Sequence, residues 1–331
     1  MDNLDDPRLN FNYRTREWGT VPLDTERARF QWVSEVAYKN VHRIVARGYD
    51  TTELVEQGYG LTDVLFVDFQ ARIPLIEEDK MLNYVMVCML EDGLSSPANI
   101  ARIVASGKTI LTQAAGSSIL AFGHAYGAYQ EIGKLMNGIL ARQEKDGKPL
   151  AEVVEAAVKT KLNDPALGIS SLMLKDPMAR RMLARAESLG VAGKYVALMR
   201  EMVKAAQKLS PTPVDVDMLG ATAAAMFDLG FTPEAAWGIL SVTRAFATGA
   251  HYCEEIEQEE PVRLGQTLTP KEWYDGPEDR PVPTLEERKS VAKPMEAQTP
   301  EEWKQIFLER QKIKGSGWAI VEEIDDPKRK I

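Results

Sequence analysis

Two long stretches of the chain are apolar on nearly every side when they are drawn as helices. They are residues 109–129 (TILTQAAGSSILAFGHAYGAY) and 218–229 (MLGATAAAMFDL), and both are rich in Ala, Gly and Ser. A helix that is apolar all round is buried, either in the core of a large protein or in a membrane. No segment of the chain offers about 20 apolar residues free of polar ones, as a membrane span requires. The sequence therefore predicts two closely packed core helices.

The rest of the body has the periodicity of amphipathic surface helices. In residues 178–189 one stripe is apolar, Arg181 and Arg185 face away, and Asp176-Pro177 is predicted to cap the start. Residues 195–209 repeat the pattern. The two stripes consist of Met178, Met182, Ala186 and Leu189, and of Leu198, Met202 and Ala206. Strand signals are few, the clearest being Arg43–Ala46 before a turn at Gly48-Tyr49-Asp50. The fold is predicted to be mostly α.

Composition and charge exclude several classes of protein. With 331 residues, 44% hydrophobic and 27% charged, the chain is an ordinary globular sequence of about two domains. A net charge of −9 argues against a nucleic-acid partner. The start lacks a signal peptide, and the distant Cys88 and Cys253 offer neither a disulfide framework nor a metal-binding pair. We expect a cytoplasmic protein without a membrane span or a metal site.

The C-terminal part of the chain differs from the body. From Glu254 onwards it holds 19 acidic and 13 basic residues and eight of the 18 prolines, which marks a boundary near residues 253–262. Thr-Pro followed by glutamate occurs at Thr232, Thr269 and Thr299, a pattern typical of helix starts. The tail is predicted to consist of short helices joined by Pro-rich linkers.

Six segments in order resemble those of the citrate synthase superfamily, and its shorter citryl-CoA-lyase-like members more than its full-length synthases. The sequence has no P-loop, GxGxxG, GxSxG or HExxH motif to suggest another chemistry. The segments are ARGYDTTEL (46–54), LEDGLSSPANIAR (90–102), AFGHAYGAYQE (121–131), DPALGISSLMLKDPMARR (164–181), TPVDVDML (212–219) and TRAFATGAHYCEE (243–255). Together they cover roughly residues 41–263.

The resemblance implies an all-α fold of two domains that close over a cleft. The large helical domain is expected at 20–133 and 218–262, the small helical lid domain at 134–217, and a charged Pro-rich extension at 263–331. In such proteins the large domains pair, so the resemblance also implies a homodimer. No tightly bound cofactor is implied, because the CoA thioester is the substrate.

The family's catalytic positions are only partly retained. A histidine that holds the thioester carbonyl, a histidine that polarises the electrophile and an aspartate that removes a proton fall at Tyr126, Ile169 and Asp217. Tyr126, helped by His124, is the candidate donor to the thioester oxygen, where a well-aimed donor contributes about 3–4 kcal/mol. Asp217 is the candidate base.

The substrate-binding positions also depart from the family. Its DHG-segment histidine falls at Asp92, and the arginine after Asp-Pro, which holds a substrate carboxylate, falls at Met178; a second carboxylate-binding arginine is retained as Arg244. Because Ile169 cannot polarise a ketone, that role is left to Asp92, Ser170 or Ser171, or is not needed. With Ile169, Met173 and Met178 in the pocket, we expect a substrate less anionic than citrate, such as an aromatic or alicyclic acyl-CoA with one remaining carboxylate held by Arg244. Relatives bind CoA phosphates near the segment that holds Lys175, Arg180 and Arg181.

Each candidate also has a purely structural interpretation. Asp217 can be a helix cap, Tyr126 a packing aromatic and Arg244 the partner of a nearby acid. Lys175, Arg180 and Arg181 can form a solvated helix face. His251 is expected on a helix surface or at a dimer contact.

Three functions therefore stay open at this stage. The first is cleavage or formation of a carbon–carbon bond on a CoA thioester. The second is thioester hydrolysis or an elimination on the same fold, and the third is a non-catalytic CoA-binding or scaffold protein.

Overall fold

The computed structural model describes most of the body of the chain and isolated parts of its tail. The described residues are 11–12, 17–18, 34–40, 42–123, 127–162, 164–171, 178–261, 271–276, 278–279, 281–282, 284–285, 301 and 305.

Helices dominate the described residues, as the periodicity predicts. In chain order they are α1 (Thr51–Glu56), α2 (Leu61–Gln70), α3 (Ile76–Leu90), α4 (Ser96–Ser106), α5 (Leu111–Ala121), α6 (Tyr129–Asp146), α7 (Leu150–Lys161), α8 (Ala179–Ser188), α9 (Lys194–Leu209), α10 (Met218–Asp228) and α11 (Pro233–Gln258). Two 3₁₀ turns lie at Pro165–Leu167 and Lys271–Trp273.

The strands within the described ranges are short and form small antiparallel sheets. They are β1 (Phe11–Asn12), β2 (Glu17–Trp18), β3 (Ala37–Lys39), β4 (Ile44–Ala46), β5 (Tyr49–Asp50), β6 (Ile169–Ser171) and β7 (Val214–Val216). β1 pairs with β2, β4 lies between β3 and β5, and β6 pairs with β7. Strand β4 and the turn at Gly48, whose φ is +93°, confirm the predicted strand and the start of the predicted turn. The prediction is wrong for Tyr49 and Asp50, which form strand β5 because the chain reverses within two residues and pairs back onto β4.

Helix α10 occupies the centre of the core. Every residue from Gly220 to Phe227 is buried, and α3, α6, α8, α9 and α11 pack around it. The predicted apolar stripes of α8 and α9 face this core, since Met182, Ala186, Leu198, Met202 and Ala206 are all buried. These predictions are confirmed, whereas the proposed cap at Asp176-Pro177 lies outside the described residues.

The prediction of one core helix over residues 109–129 is wrong for its first half. Helix α5 ends at Ala121, and only Ala114 and Ser118 in it are buried. Its other side is open, with Leu120 88% exposed. Helix α5 packs against α4 and α11, which also contact each other, so the three helices form one cluster. Part of the apolar surface of α5 thus stays exposed to solvent within one copy of the chain.

The sequence signal for the start of α11 is confirmed. Thr232 is its N-cap, with the side-chain oxygen accepting a hydrogen bond from the Ala235 N–H at 3.2 Å, and Pro233 is the first helical residue. The corresponding Thr269 and Thr299 lie outside the described residues.

The chain separates into two compact units, Met1–Arg263 and Leu264–Ile331. The first contains every helix from α1 to α11. The second contains the turn at Lys271–Trp273 and single helical residues at Glu301 and Gln305. The finer division into a large domain and a lid stays a prediction. In the part of the chain that the structure describes, no helix is both long and apolar enough to span a bilayer, and the cytoplasmic location stays a prediction.

Candidate functional site

Asp217 sits at the entrance to the buried helix α10. Strand β7 leads directly into it, and its side chain accepts a hydrogen bond from the Gly220 N–H at 2.9 Å. Its own N–H donates to the carbonyl oxygen of Gly168 at 3.1 Å. The side chain is partly buried. A carboxylate in this position satisfies a free amide of the first turn and is favoured by the helix dipole. The backbone therefore holds the carboxyl group of Asp217 firmly at this point.

A pair of glycines makes this anchoring possible. Gly168 has φ +69°, and a Cβ added at Gly220 would come within 2.2 Å of the Gly168 carbonyl oxygen. The backbone before β6 therefore touches the first turn of α10 with no side chain between them. This contact fixes the Asp217 segment to the β6–β7 sheet.

Ile169 lies directly beside the Asp217 segment. In the β6–β7 pairing Ile169 is opposite Val216, and Ser170 is opposite Asp215. Ile169 is buried, and Ser170 is partly buried. The structure thus brings together two of the positions that the sequence singles out, one with a carboxylate and the other with a purely apolar side chain.

Arg180 and Arg181 differ in their surroundings. Arg180 forms an ion pair with the carboxylate of Asp215 through its Nε. Arg181 is exposed on the first turn of α8, and Met178 is half-buried just before that helix. The candidate residues His124, Tyr126, Met173 and Lys175 lie outside the described residues.

Arg244 is buried at the centre of α11. Its side chain is 5% exposed, and its Nη1 lies 2.6 Å from Oδ2 of Asp92. Its Nε donates to the Met89 carbonyl oxygen at 2.8 Å, and its guanidinium carbon lies 6.0 Å from the centre of the Phe122 ring. Both candidate residues therefore meet, and the carboxylate on the arginine belongs to the chain itself.

Tyr129 is a buried member of the site that the sequence reasoning missed. It is the first residue of α6 and is fully buried. Burial raises the pKa of its phenol; the charge of Arg244 lowers this pKa, and the charge of Asp217 raises it. The phenol is thus neutral at pH 7. Its oxygen lies beside Thr222 and makes no hydrogen bond of normal geometry with the described residues. The available signal was a bulky aromatic within the small-residue segment 121–131.

A second polar cluster lies toward the C-terminal end of α11. Arg102 contacts Oε2 of the buried Glu255 at 2.9 Å and also pairs with Glu254. His251 lies 3.2 Å from Oε1 of Glu91, and its side chain is only 17% exposed. It is therefore less exposed than a surface histidine.

The same end of α11 borders a cleft. The cleft has a volume of about 260 Å³, and its lining includes Lys108, Thr109, Tyr252, Glu255, Ile256 and Pro261. It shares no lining residue with the Asp217 and Arg244 region.

Comparison with known proteins identifies the fold of the chain through solved structures only. No family model matches the chain, and no curated protein sequence matches it. Among solved structures, citryl-CoA lyase from Hydrogenobacter thermophilus is 22% identical with a TM-score of 0.65, over 78% of this chain and 99% of that chain.

Two further solved structures have the same fold. ATP citrate lyase from Methanosaeta concilii, in complex with (3S)-citryl-CoA, is 15% identical with a TM-score of 0.57, over 82% of this chain and 46% of that chain. Citrate synthase from Thermoplasma acidophilum, in complex with carboxymethyl coenzyme A and oxaloacetate, is 16% identical with a TM-score of 0.51, over 69% of this chain and 60% of that chain. The predicted citrate synthase-like helical fold is confirmed.

Proposed function

We propose that the chain cleaves or forms a carbon–carbon bond on a CoA thioester whose acyl part is less anionic than citrate. The observation that carries the proposal is Asp217, held by backbone contacts at the mouth of a buried helix and next to the apolar Ile169. The fold similarity to citryl-CoA lyase, and the CoA compounds bound in two other similar structures, support CoA chemistry.

Asp217 is the proposed base in both directions. In cleavage it removes the proton from the hydroxyl on the β-carbon. The C–O bond becomes C=O, the adjacent carbon–carbon bond breaks, and its electron pair passes into the thioester enolate. Protonation of the α-carbon then completes the reaction. In synthesis Asp217 removes the α-proton, and the enolate carbon attacks the ketone carbon. The π electrons of the C=O bond pass to its oxygen, which takes up a proton and becomes the hydroxyl.

The thioester oxygen needs a donor because negative charge develops there. Tyr126, helped by His124, is the proposed donor on the strength of the sequence resemblance. The neutral phenol of Tyr129 places an uncharged group within reach of the charges of both Asp217 and Arg244. An apolar surround disfavours ionised substrate groups, which is consistent with Ile169, Ser170 and Met178 facing a weakly charged acyl part.

The CoA phosphates are proposed to bind near the start of α8, through Lys175, Arg180 and Arg181. Arg181 is exposed, whereas the pairing of Arg180 with Asp215 neutralises part of its charge. The thioester itself is the substrate, so the proposal includes no tightly bound cofactor.

The exposed apolar side of the α4–α5–α11 cluster is the proposed contact with a second copy of the chain. Large apolar side chains on all three helices are open to solvent: Ile103, Leu111, Leu120, Val242 and Phe246 are each 43% to 88% exposed. Large exposed apolar side chains on neighbouring helices are typical of protein interfaces, and homodimer interfaces are the most apolar of these.

A second function has one observation in its favour. Ile169 provides no hydrogen bond to polarise a ketone, and an enzyme that hydrolyses a thioester or eliminates a group does not need one. Thioester hydrolysis is therefore the alternative that the assay must exclude.

The test is incubation of the purified protein with aromatic and alicyclic β-hydroxyacyl-CoA thioesters and with citryl-CoA. Free thiol and the acyl-CoA and ketone products are measured in the same samples. We expect a ketone and a shortened acyl-CoA without release of thiol, and faster turnover of the apolar substrates. Release of thiol without a ketone would support hydrolysis, and a preference for citryl-CoA would contradict the proposed substrate class.

A further inference from the structure

The carboxylate that neutralises Arg244 lies on a short, ordered loop after α3. Oε1 of Glu91 accepts hydrogen bonds from the N–H groups of Asp92 and Gly93, both at 2.8 Å, and Gly93 has φ +55°. Burial would raise the pKa of Glu91, but these N–H groups and the contact with His251 hold it below its usual range. Glu91 therefore stays ionised and fixes the backbone that carries Asp92.

The two partners of the ion pair are buried to very different degrees. The Asp92 side chain is 46% exposed, whereas the Arg244 side chain is 5% exposed. Asp92 thus covers the arginine from the solvent side. Among the described residues, it is the only carboxylate within ion-pair distance of Arg244.

The contact between Arg244 and Asp92 pairs their opposite charges but leaves Nη1 of the arginine without a well-formed hydrogen bond. Although Nη1 of Arg244 lies 2.6 Å from Asp92, this buried nitrogen has no partner with hydrogen-bond geometry among the described residues. A guanidinium normally binds a carboxylate through two parallel N–H···O bonds. A free carboxylate ligand can therefore form better hydrogen bonds with Arg244 than Asp92 does, provided that the charge of Asp92 is removed.

We propose that Asp92 determines substrate specificity by neutralising Arg244 with its own negative charge, so that the arginine does not pair with a substrate carboxylate. A second carboxylate approaching the arginine meets the negative charge of Asp92, and like charges at short range in a poorly solvated site repel strongly. The site thereby rejects anionic acyl groups at this point and accepts neutral ones. The inference rests on the proposed function, since it takes the Arg244 and Asp217 region as the substrate site.

The test measures binding and not turnover, so that it stays separate from the test of the proposed function. Succinate is the probe, neutral succinamide is its matched control, and affinity is measured by calorimetry on the full chain. Asp92→Asn is expected to bind succinate at least about tenfold more tightly than the wild type, the factor that one charge-assisted hydrogen bond provides. Neither protein is expected to bind succinamide.

Two further variants test whether the gain in succinate binding depends on Asp92 and Arg244 in particular. Glu91→Gln removes the same charge from the neighbouring residue but keeps a side-chain oxygen for the loop, and it is expected to bind succinate no better than the wild type. Adding Arg244→Gln to Asp92→Asn is expected to abolish the gained binding. Because Asp92→Asn leaves Arg244 without its counterion, thermal unfolding is also measured with and without succinate. The probe is expected to raise the melting temperature of this variant more than that of the wild type.

Two results would overturn the proposal. One is Arg244-dependent binding of succinate by the wild type as tight as that of Asp92→Asn. The other is a folded Asp92→Asn variant that binds succinate no better than Glu91→Gln. If Asp92→Asn does not fold, Asp92→Ser takes its place in the same comparison. Absence of turnover on every CoA thioester would count against the proposed function and would leave these binding results intact.

Discussion

Helices α5 (Leu111–Ala121) and α10 (Met218–Asp228) have similar apolar, small-residue sequences and opposite surroundings. α10 is enclosed on every side by other helices of the same chain, whereas α5 is covered on one side only. An apolar sequence predicts that a helix is buried, but it does not indicate whether the same chain or another molecule buries it. Helix α10 is buried by other helices of its own chain, and this packing holds Asp217 in place. The exposed side of α5 is proposed to be buried by a second copy of the chain.

The largest expected effect is a difference in stability between a glycine substitution in α10 and one in α5. Gly220→Ala drives a Cβ into the backbone of Gly168, and such overpacking is expected to lower the free energy of unfolding by about 3 kcal/mol. A Cβ added at Gly116 in α5 would meet no atom within 4 Å, so Gly116→Ala is expected to be neutral or to stabilise by roughly 0.5–1 kcal/mol. Denaturant unfolding of both variants measures the difference. Equal destabilisation by the two changes would contradict the packing described for α10.

A smaller effect is expected at the open side of α5. Leu120→Glu places a charge in the proposed dimer contact, and burying that charge without a partner costs more than the contact gains. We expect the variant to be monomeric at concentrations where the wild type is a dimer, with an unchanged circular dichroism spectrum. Sedimentation analysis measures the oligomeric state.

The matched control for that change is Val55→Glu on α1. Val55 is also largely exposed, at 66%, but lies outside the α4–α5–α11 cluster. It is expected to leave the oligomeric state unchanged. A wild-type chain that is monomeric at all concentrations would contradict the proposed contact altogether.

Sequence patterns were sufficient for the features that depend on neighbouring residues. The stripes of α8 and α9, the Thr232 cap and the strand before Gly48 are each encoded within a few residues, and each is confirmed. The extent of α5 was not predictable in this way. Its composition continues unchanged past Ala121, where the helix ends, and composition alone does not distinguish a buried helix from a half-covered one.

The contacts that build the candidate site lie between residues far apart in the chain. The pairing of Asp92 with Arg244 joins a loop after α3 to the middle of α11, and no local pattern encodes it. The close contact of Gly168 with Gly220 is equally invisible in the sequence, because a glycine pair has no side-chain signal. Tyr129 was not predicted because the resembling segment points to its neighbour Tyr126. The resemblance did indicate Asp217 and Ile169, which the structure brings together.

The most direct test of the account is the turnover of a β-hydroxyacyl-CoA thioester by Asp217→Asn. Asparagine caps a helix about as well as aspartate, so the melting temperature should stay near that of the wild type while the base is removed. We expect kcat to fall by about 10²–10⁴-fold, the usual contribution of a general base. Asp215→Asn, two residues earlier on β7, removes the same charge and should keep kcat close to the wild-type value. An Asp217→Asn protein that is folded and still cleaves the substrate at the wild-type rate would contradict the account.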